Sequence, residues 1–110
     1  MTDITLLKQD GNIVSVTCQG HTGYANSGED IVCAGISTIV QTALLGVLNV
    51  AGVQAKFKVD EQKGYLHFEL KGDISKGQMH DCQVILKTML CGLSDFYTEY
   101  SDYMRLEVKE

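Results

Sequence analysis

Apolar and polar side chains alternate along the N-terminal segment, with the period of half-buried β-strands. Two segments rich in β-forming residues, Ile4 to Gln9 and Asn12 to Gln19, are separated by the Asp10-Gly11 pair, a strong hairpin signal, and the second segment alternates well. Strict alternation divides the side chains of the second segment between two faces: Ile13, Ser15 and Thr17 on one, and Val14, Val16 and Cys18 on the other. The pattern therefore predicts an antiparallel hairpin at the start of the fold.

A long apolar segment follows, from Ile31 to about Ala51, with no charged residue between Asp30 and Lys56. Asp30 stands where the N-cap of a helix is expected. The segment is interrupted near one helical stripe by the polar residues Ser37, Thr38, Gln41, Thr42 and Asn49. Because no basic flank orients it either, we predict a soluble helix rather than a membrane span. A helix this apolar is expected to be covered on more than one side, by the sheet and by a second subunit.

The second half repeats the order of the first. Ala55 to Asp60 and Gly64 to Leu70 indicate a second hairpin, turned by Glu61-Gln62-Lys63. Apolar residues at spacings of three and four then predict a helix that begins near Ser75 and reaches Tyr100, and Leu106 to Lys109 is typical of a short last strand. The order ββαββαβ predicts an α+β domain over residues 1–110, a two-layer sandwich of a mainly antiparallel sheet with two helices on one face.

The composition of the chain indicates which binding partners and which cellular compartment to expect. The chain has 110 residues, 9 basic against 14 acidic side chains, and a net charge of −5. This balance argues against direct nucleic-acid binding, which needs clustered Lys and Arg, and favours a basic protein or peptide partner. Met1-Thr2-Asp3 lacks the basic and apolar stretches of a signal peptide. We therefore expect a cytoplasmic protein whose thiols are reduced.

The chain has four cysteines, Cys18, Cys33, Cys82 and Cys91. None of them forms a C-x-x-C pair, so each has to be interpreted individually. A zinc-binding module is the least favoured class, because the cysteines are irregularly spaced from His21, His67 and His80. We expect neither a metal nor another cofactor. His67 and His80 are expected to be solvated or structural, and Cys18, Cys82 and Cys91 to be structural residues of the core.

Cys33 and His21 form the one arrangement with a chemical mechanism. Cys33 lies in the first turn of the predicted apolar helix. The glycine-rich segment from Gly20 to Glu29, predicted to be a mobile loop, separates the helix from the second strand. Helix N-termini lower the pKa of a thiol, and their unpaired N–H groups can stabilise an oxyanion. His21 could take the thiol proton and return it to a leaving amine. Asp30 either caps the helix or orients the imidazole, and the alternative for Cys33 is an ordinary core position.

The residues around this pair resemble a known signature. Gly20-His21, followed by Asp30-Ile31-Val32-Cys33-Ala34 and Ser37, resembles the Prp family of bacterial ribosomal-processing cysteine proteases. The resemblance continues through the second half of the chain, in Leu86, Thr88-Met89-Leu90, Leu93, Glu99-Tyr100 and Arg105-Leu106.

The resemblance implies a homodimeric endopeptidase that removes the N-terminal extension of a large-subunit ribosomal protein, the twenty-seventh in the usual naming, by cutting after paired aromatic residues. Cys33 would be the nucleophile and His21 the general base and acid, supported by Gly20, Asp30 and Ser37. The loop residues expected to contact substrate are Thr22, Gly23, Tyr24 and Gly28. The alternative is a non-catalytic, ribosome-associated peptide-binding module in which Cys33 belongs to the core.

Overall fold

The structure is a computed structural model that describes the backbone of residues 1–20 and 27–110 and the side chains of residues 1–20 and 31–110. Its elements follow the predicted ββαββαβ order: β1 Thr2–Gln9, β2 Asn12–Gln19, α1 Ser27–Asn49, β3 Gln54–Asp60, β4 Tyr65–Lys71, α2 Lys76–Tyr100 and β5 Met104–Lys109. β5 begins earlier than predicted, because Met104 already pairs with Thr2 of β1.

The five strands form one mixed sheet in the order β3-β4-β2-β1-β5, in which β1 and β5 are parallel and the other neighbours are antiparallel. Helix α1 connects β2 to β3 across β4, and α2 connects β4 to β5 across β2 and β1. The two crossovers leave antiparallel strands and run in opposite directions along the sheet. Right-handed connections therefore place both helices on the same face, which confirms the predicted α+β sandwich.

The first hairpin has the predicted turn but an irregular strand. Asp10 and Gly11 both have positive φ, 52° and 81°, as the tight turn between twisted strands requires. Leu7 pairs with Ser15 whereas Lys8 pairs with Ile13, so Val14 is an extra residue in β2. This bulge reverses the alternation, and Ile13 is fully buried on the core side together with Val16. The strict alternation predicted for β2 was therefore wrong at Ile13 and Val14.

A buried glutamine of α2 satisfies the backbone at this bulge. The Gln83 side chain accepts a hydrogen bond from the Ile13 N–H at 2.8 Å and donates one to the Ile13 carbonyl at 2.9 Å. Buried backbone groups outside a regular ladder need such partners. Helix α2 itself begins as predicted, with Ser75 as its N-cap and Gln78 completing a capping box. The second helix is thus fixed both at its start and above the bulge.

Helix α1 begins at Ser27, so Asp30 lies within its first turns and its assignment as the N-cap was wrong. Serine is a good helix initiator, and Glu29 and Asp30 are acidic residues in the part of a helix where its dipole favours them. Gly28 consequently belongs to the helix and not to the loop that was predicted to reach Glu29. Cys33 lies in the second helical turn rather than the first.

The apolar stretch of α1 packs onto the sheet. Ile31–Asn49 has a mean hydropathy of 2.1 and is long and apolar enough to cross a membrane by length and composition alone. Its residues Val32, Val40 and Val47 are buried in the same core cluster as Ile4 and Phe68 of the sheet. This is the arrangement of a core helix in a globular domain.

Candidate active site

A cleft of about 340 Å³ opens between the end of β2, the first half of α1 and the β3–β4 hairpin. Clefts of this size are typical of sites that bind small ligands or single side chains. Residues from these three elements and from the start of β1 line it: Thr2, Cys18, Gly20, Cys33, Ala34, Ile36, Ser37, Gln41, Val59, Asp60, Glu61, Gly64, Tyr65 and Leu66. Three of the predicted site residues, Gly20, Cys33 and Ser37, therefore meet in one cleft.

Cys33 is half-buried in the wall of this cleft, and its Sγ lies 3.4 Å from the Thr2 hydroxyl oxygen. Cys18 also lines the cleft, but burial raises the pKa of its thiol to about 12. A thiol with that pKa stays protonated at neutral pH and is a poor nucleophile. Of the two cleft cysteines, Cys33 is the one available for chemistry.

The remaining cysteines lie away from the cleft. Cys82 is buried as predicted, and its thiol pKa is raised by desolvation first and by the negative charge of Asp81 second. Cys91 is exposed on α2, so its predicted place in the core was wrong. On this helix Met89 and Leu93 are buried, and a residue two positions from each points to the opposite side.

Gly20 holds the end of β2 in a geometry that only glycine suits. Its φ is +100°, and a Cβ at this position would lie 2.7 Å from the Met1 carbonyl oxygen. Its N–H donates to the Gly64 carbonyl at 2.9 Å, and its carbonyl accepts from the Thr2 hydroxyl at 3.1 Å. The chain is thus fixed on both sides immediately before His21.

Ser37 lies on the cleft side of α1, one turn after Cys33. Its hydroxyl accepts a hydrogen bond from the Gln41 side chain at 2.7 Å. Serine and glutamine together present a polar patch beside the thiol. Such a patch can bind the backbone of an extended peptide, which offers both donors and acceptors.

Several predicted site residues lie outside the described part of the chain. These are His21, Thr22, Gly23 and Tyr24, together with the side chain of Asp30, whereas Gly28 is described as part of the α1 backbone. The position of Cys33 in the second turn also corrects one expectation. Only the first turn of a helix leaves N–H groups unpaired, and Cys33 is the seventh residue of α1, so its N–H lies within the hydrogen-bonded helix and is not a free oxyanion donor.

The other histidines have structural or solvated positions, as predicted. His67 lies in β4, where its Nδ1 is 2.7 Å from the Thr17 hydroxyl and its ring stacks on Tyr65. His80 is exposed on α2. Among the side chains of residues 1–20 and 31–110, no three His, Cys, Asp or Glu groups gather as a metal site.

Sequence reasoning missed Thr2 and the β3–β4 hairpin residues of the cleft, among them Asp60, Glu61 and Tyr65. For Thr2 a signal was present, because a hydroxyl residue occupies an inward position in the alternation that continues through Ile4 and Leu6. For the hairpin no local signal exists. Its place beside Cys33 depends on the crossover of α1 from β2 to β3.

The family model of the cysteine protease Prp matches residues 1–105 of the chain. The ribosomal processing cysteine protease Prp of Bacillus subtilis is 29% identical over 97 residues, covering 88% of this chain and 87% of the relative. The crystal structure of the ribosomal processing protease Prp from S. aureus with a substrate peptide superposes with a TM-score of 0.85 at 26% identity, covering 99% of this chain and 100% of that one.

A second structure of the S. aureus protease, with a covalently linked product peptide, has a TM-score of 0.82, 26% identity and the same coverage of 99% and 100%. The family match spans all the residues that line the cleft, Cys33 among them, and extends to the second residue of β5. This chain belongs to the cysteine protease family Prp.

Proposed function

We propose that this protein is a cytoplasmic cysteine endopeptidase that removes the N-terminal extension of a large-subunit ribosomal protein, the twenty-seventh in the usual naming. Cys33 is its nucleophile and His21 its general base and acid. The observation that carries the proposal is the Cys33 thiol in a cleft wall, joined through the Thr2 hydroxyl to Gly20. His21 is the residue that follows Gly20 in the sequence, which supports its pairing with Cys33.

The reaction is acyl transfer in two steps. His21 takes the Cys33 proton, and the sulfur attacks the carbonyl carbon of the scissile peptide bond. When the tetrahedral intermediate collapses, the C–N bond breaks and the imidazolium gives its proton to the leaving amine. His21 then takes a proton from water, whose oxygen attacks the thioester. The C–S bond breaks, and the imidazolium returns its proton to the Cys33 sulfur. Because Cys33 lies beyond the first helical turn, its activation depends on His21 more than on the helix dipole.

The charge of the cleft supports a basic substrate. Asp60 and Glu61 lie at its rim, and the whole chain carries a net charge of −5. Ribosomal proteins are basic, so this charge favours encounter with them. Val59, Tyr65 and Leu66 supply apolar and aromatic surface in the same cleft, which suits aromatic side chains before the cut. The S. aureus relative has been solved with a substrate peptide, which supports a peptide-binding role for the corresponding surface.

The homodimer belongs to the same proposal. Leu45 on α1 is 57% exposed, and Phe57 on β3 is 54% exposed. Phe57 pairs with the buried Phe68, so it lies on the helix-bearing face of the sheet, next to an open strand edge. Exposed apolar surface beside an unpaired edge is typical of a protein interface. A second copy of the chain is the partner that covers both elements by symmetry.

Cleavage of a peptide that copies the extension and its junction tests the proposal. Wild-type protein should release two fragments, and Cys33→Ala and His21→Ala should release none. Cys91→Ser is the matched control, because it removes an exposed thiol outside the cleft and should cleave like wild type. Mass spectrometry of a rapidly quenched reaction should detect the N-terminal fragment as a thioester on Cys33.

Two results would overturn the proposal. Continued cleavage by Cys33→Ala excludes Cys33 as the nucleophile. A peptide that binds the wild type without being cut indicates instead the non-catalytic, ribosome-associated module.

A further inference from the structure

The Thr2 hydroxyl is a buried polar group placed between the two chain segments of the active site. Thr2 is only 5% exposed, on the inward face of β1. Its oxygen lies 3.1 Å from the Gly20 carbonyl oxygen and 3.4 Å from Cys33 Sγ. Within residues 1–20 and 31–110, it is the hydrogen-bond partner that the structure gives the Cys33 sulfur.

The number of protons available fixes the direction of these bonds. A threonine hydroxyl carries one proton and two acceptor lone pairs, whereas a backbone carbonyl only accepts. Thr2 therefore donates to the Gly20 carbonyl, and it accepts the S–H of Cys33. In the resting protein this arrangement directs the thiol proton toward β1 and holds the sulfur in a defined rotamer.

Ionisation of Cys33 reverses the second bond. A thiolate has no proton to give, so the Thr2 hydroxyl can satisfy it only by rotating from the Gly20 carbonyl to donate to the sulfur. A hydrogen bond to an ionised partner is roughly twice as strong as one between neutral groups, so the rotation is favourable. Only a rotor with a single proton, such as a hydroxyl, can serve both states.

The backbone of Thr2 is well placed to support this role. Its N–H donates to the Tyr103 carbonyl at 3.0 Å, and it pairs in register with Met104 of β5. Both sides of β1 are therefore held at this residue, with Gly20 on one side and β5 on the other. The hydroxyl is thus presented to Cys33 from a strand whose backbone is held on both sides.

Among the described residues that line the cleft, the charged side chains are Asp60 and Glu61 of the hairpin, which are acidic and repel a second negative charge. The Cys18 thiol stays protonated, because burial raises its pKa to about 12.

We propose that Thr2 is a positioning residue for the nucleophile, orienting the Cys33 thiol at rest and donating its hydroxyl proton to the thiolate when the proton leaves. The catalytic consequence rests on the proposed function. The hydrogen-bond exchange is a property of the free protein and is measurable without substrate.

The test is the rate of Cys33 alkylation by iodoacetamide as a function of pH, followed by peptide mapping of the folded protein. Thr2→Val keeps the shape of the side chain and removes the hydroxyl, whereas Thr2→Ser keeps the hydroxyl. We expect Thr2→Val to move the alkylation midpoint to higher pH and to slow labelling at neutral pH by roughly threefold to tenfold, the size expected for one lost hydrogen bond. Thr2→Ser should restore the wild-type profile.

An unmoved profile in Thr2→Val, or the same shift in Thr2→Ser as in Thr2→Val, overturns the proposal. If Thr2→Val fails to fold, Thr2→Ala provides the same comparison with Thr2→Ser.

In the cleavage assay Thr2→Val should lower kcat with little change in KM. A shifted alkylation profile in a protein that cleaves no peptide would overturn the proposed function alone, whereas an unshifted profile in an active protease would overturn only the role of Thr2.

Discussion

The ring of Phe96 on α2 occupies the space that a side chain on Gly35 of α1 would need. A Cβ built on Gly35 would lie 2.5 Å from Phe96 Cζ and 2.9 Å from its Cε1. Gly35 follows Cys33 by two positions, so this contact sets the distance between the helices beside the Cys33 thiol. The glycine allows α2 to support the segment of α1 that carries the thiol.

Gly35→Ala should destabilise the protein by about 1–3 kcal/mol, because the Phe96 ring or the helix has to move. Urea unfolding measures the effect. Gly77→Ala is the matched control, since it lies in α2 with no atom within 4 Å of the added Cβ, and it should be neutral or stabilising by up to about 1 kcal/mol. Equal stability of the two variants would contradict this packing.

Gly20→Ala should abolish most of the cleavage activity. The substitution imposes a φ of +100° on alanine and directs its Cβ at the Met1 carbonyl, so the chain just before His21 must shift. Gly11→Ala shares the positive φ, at +81°, but meets no atom within 4 Å and lies at the far end of β2. Gly11→Ala should lose about 1–2 kcal/mol of stability from its positive φ, and Gly20→Ala should lose more, because its Cβ also meets the Met1 carbonyl. Only Gly20→Ala should have a lower kcat/KM than the wild type. Equal kcat/KM values in Gly20→Ala and Gly11→Ala would contradict a catalytic requirement for the Gly20 backbone geometry.

Cys18 should make the protein sensitive to alkaline pH. Burial raises the pKa of its thiol from the ordinary 9.0 to about 12 in the folded state. The neutral thiol is thus favoured by folding, so its contribution is complete below pH 9 and is lost as pH rises from 9 toward 12, by at most about 1.4 kcal/mol per pH unit.

Cys18→Ala isolates this contribution, because all other titrating groups are shared with the wild type. The variant should be less stable at pH 7, where it leaves a cavity, and the gap in unfolding free energy should narrow between pH 9 and pH 11. A gap that stays constant over this range would show that Cys18 ionises equally easily in the folded and unfolded chain.

Phe57→Asp should shift the proposed homodimer toward monomer, because it places a charge in the apolar surface next to the β3 edge. Analytical ultracentrifugation gives the dissociation constants. Val108→Asp is the matched control, since Val108 is also partly exposed but lies on β5 at the opposite edge of the sheet. A wild type that sediments as a monomer at the concentrations used for cleavage would refute the dimer.

The exposed position of Cys91 could have been predicted from the sequence. Cys91 was assigned to the core although Met89 and Leu93 already define the buried stripe of α2, on which a residue between them has no place. The start of α1 was harder to predict. Asp30, Ser27 and Asn26 are all acceptable N-cap types, and the residue types alone do not choose among them.

The sequence by itself determined the features that depend on neighbours along the chain. Local periodicity and turn chemistry predict the Asp10-Gly11 turn, the order of strands and helices, and the start of α2 at Ser75. The family signature around Cys33 depends on residue identities at a fixed spacing along the chain. Tertiary structure alone decided the contacts between distant residues, because packing and hydrogen-bond satisfaction operate through space. Gln83 reaches the bulge at Ile13, Phe96 fills the space over Gly35, and the Thr2 hydroxyl joins Gly20 to Cys33 only once the strands and helices have assembled.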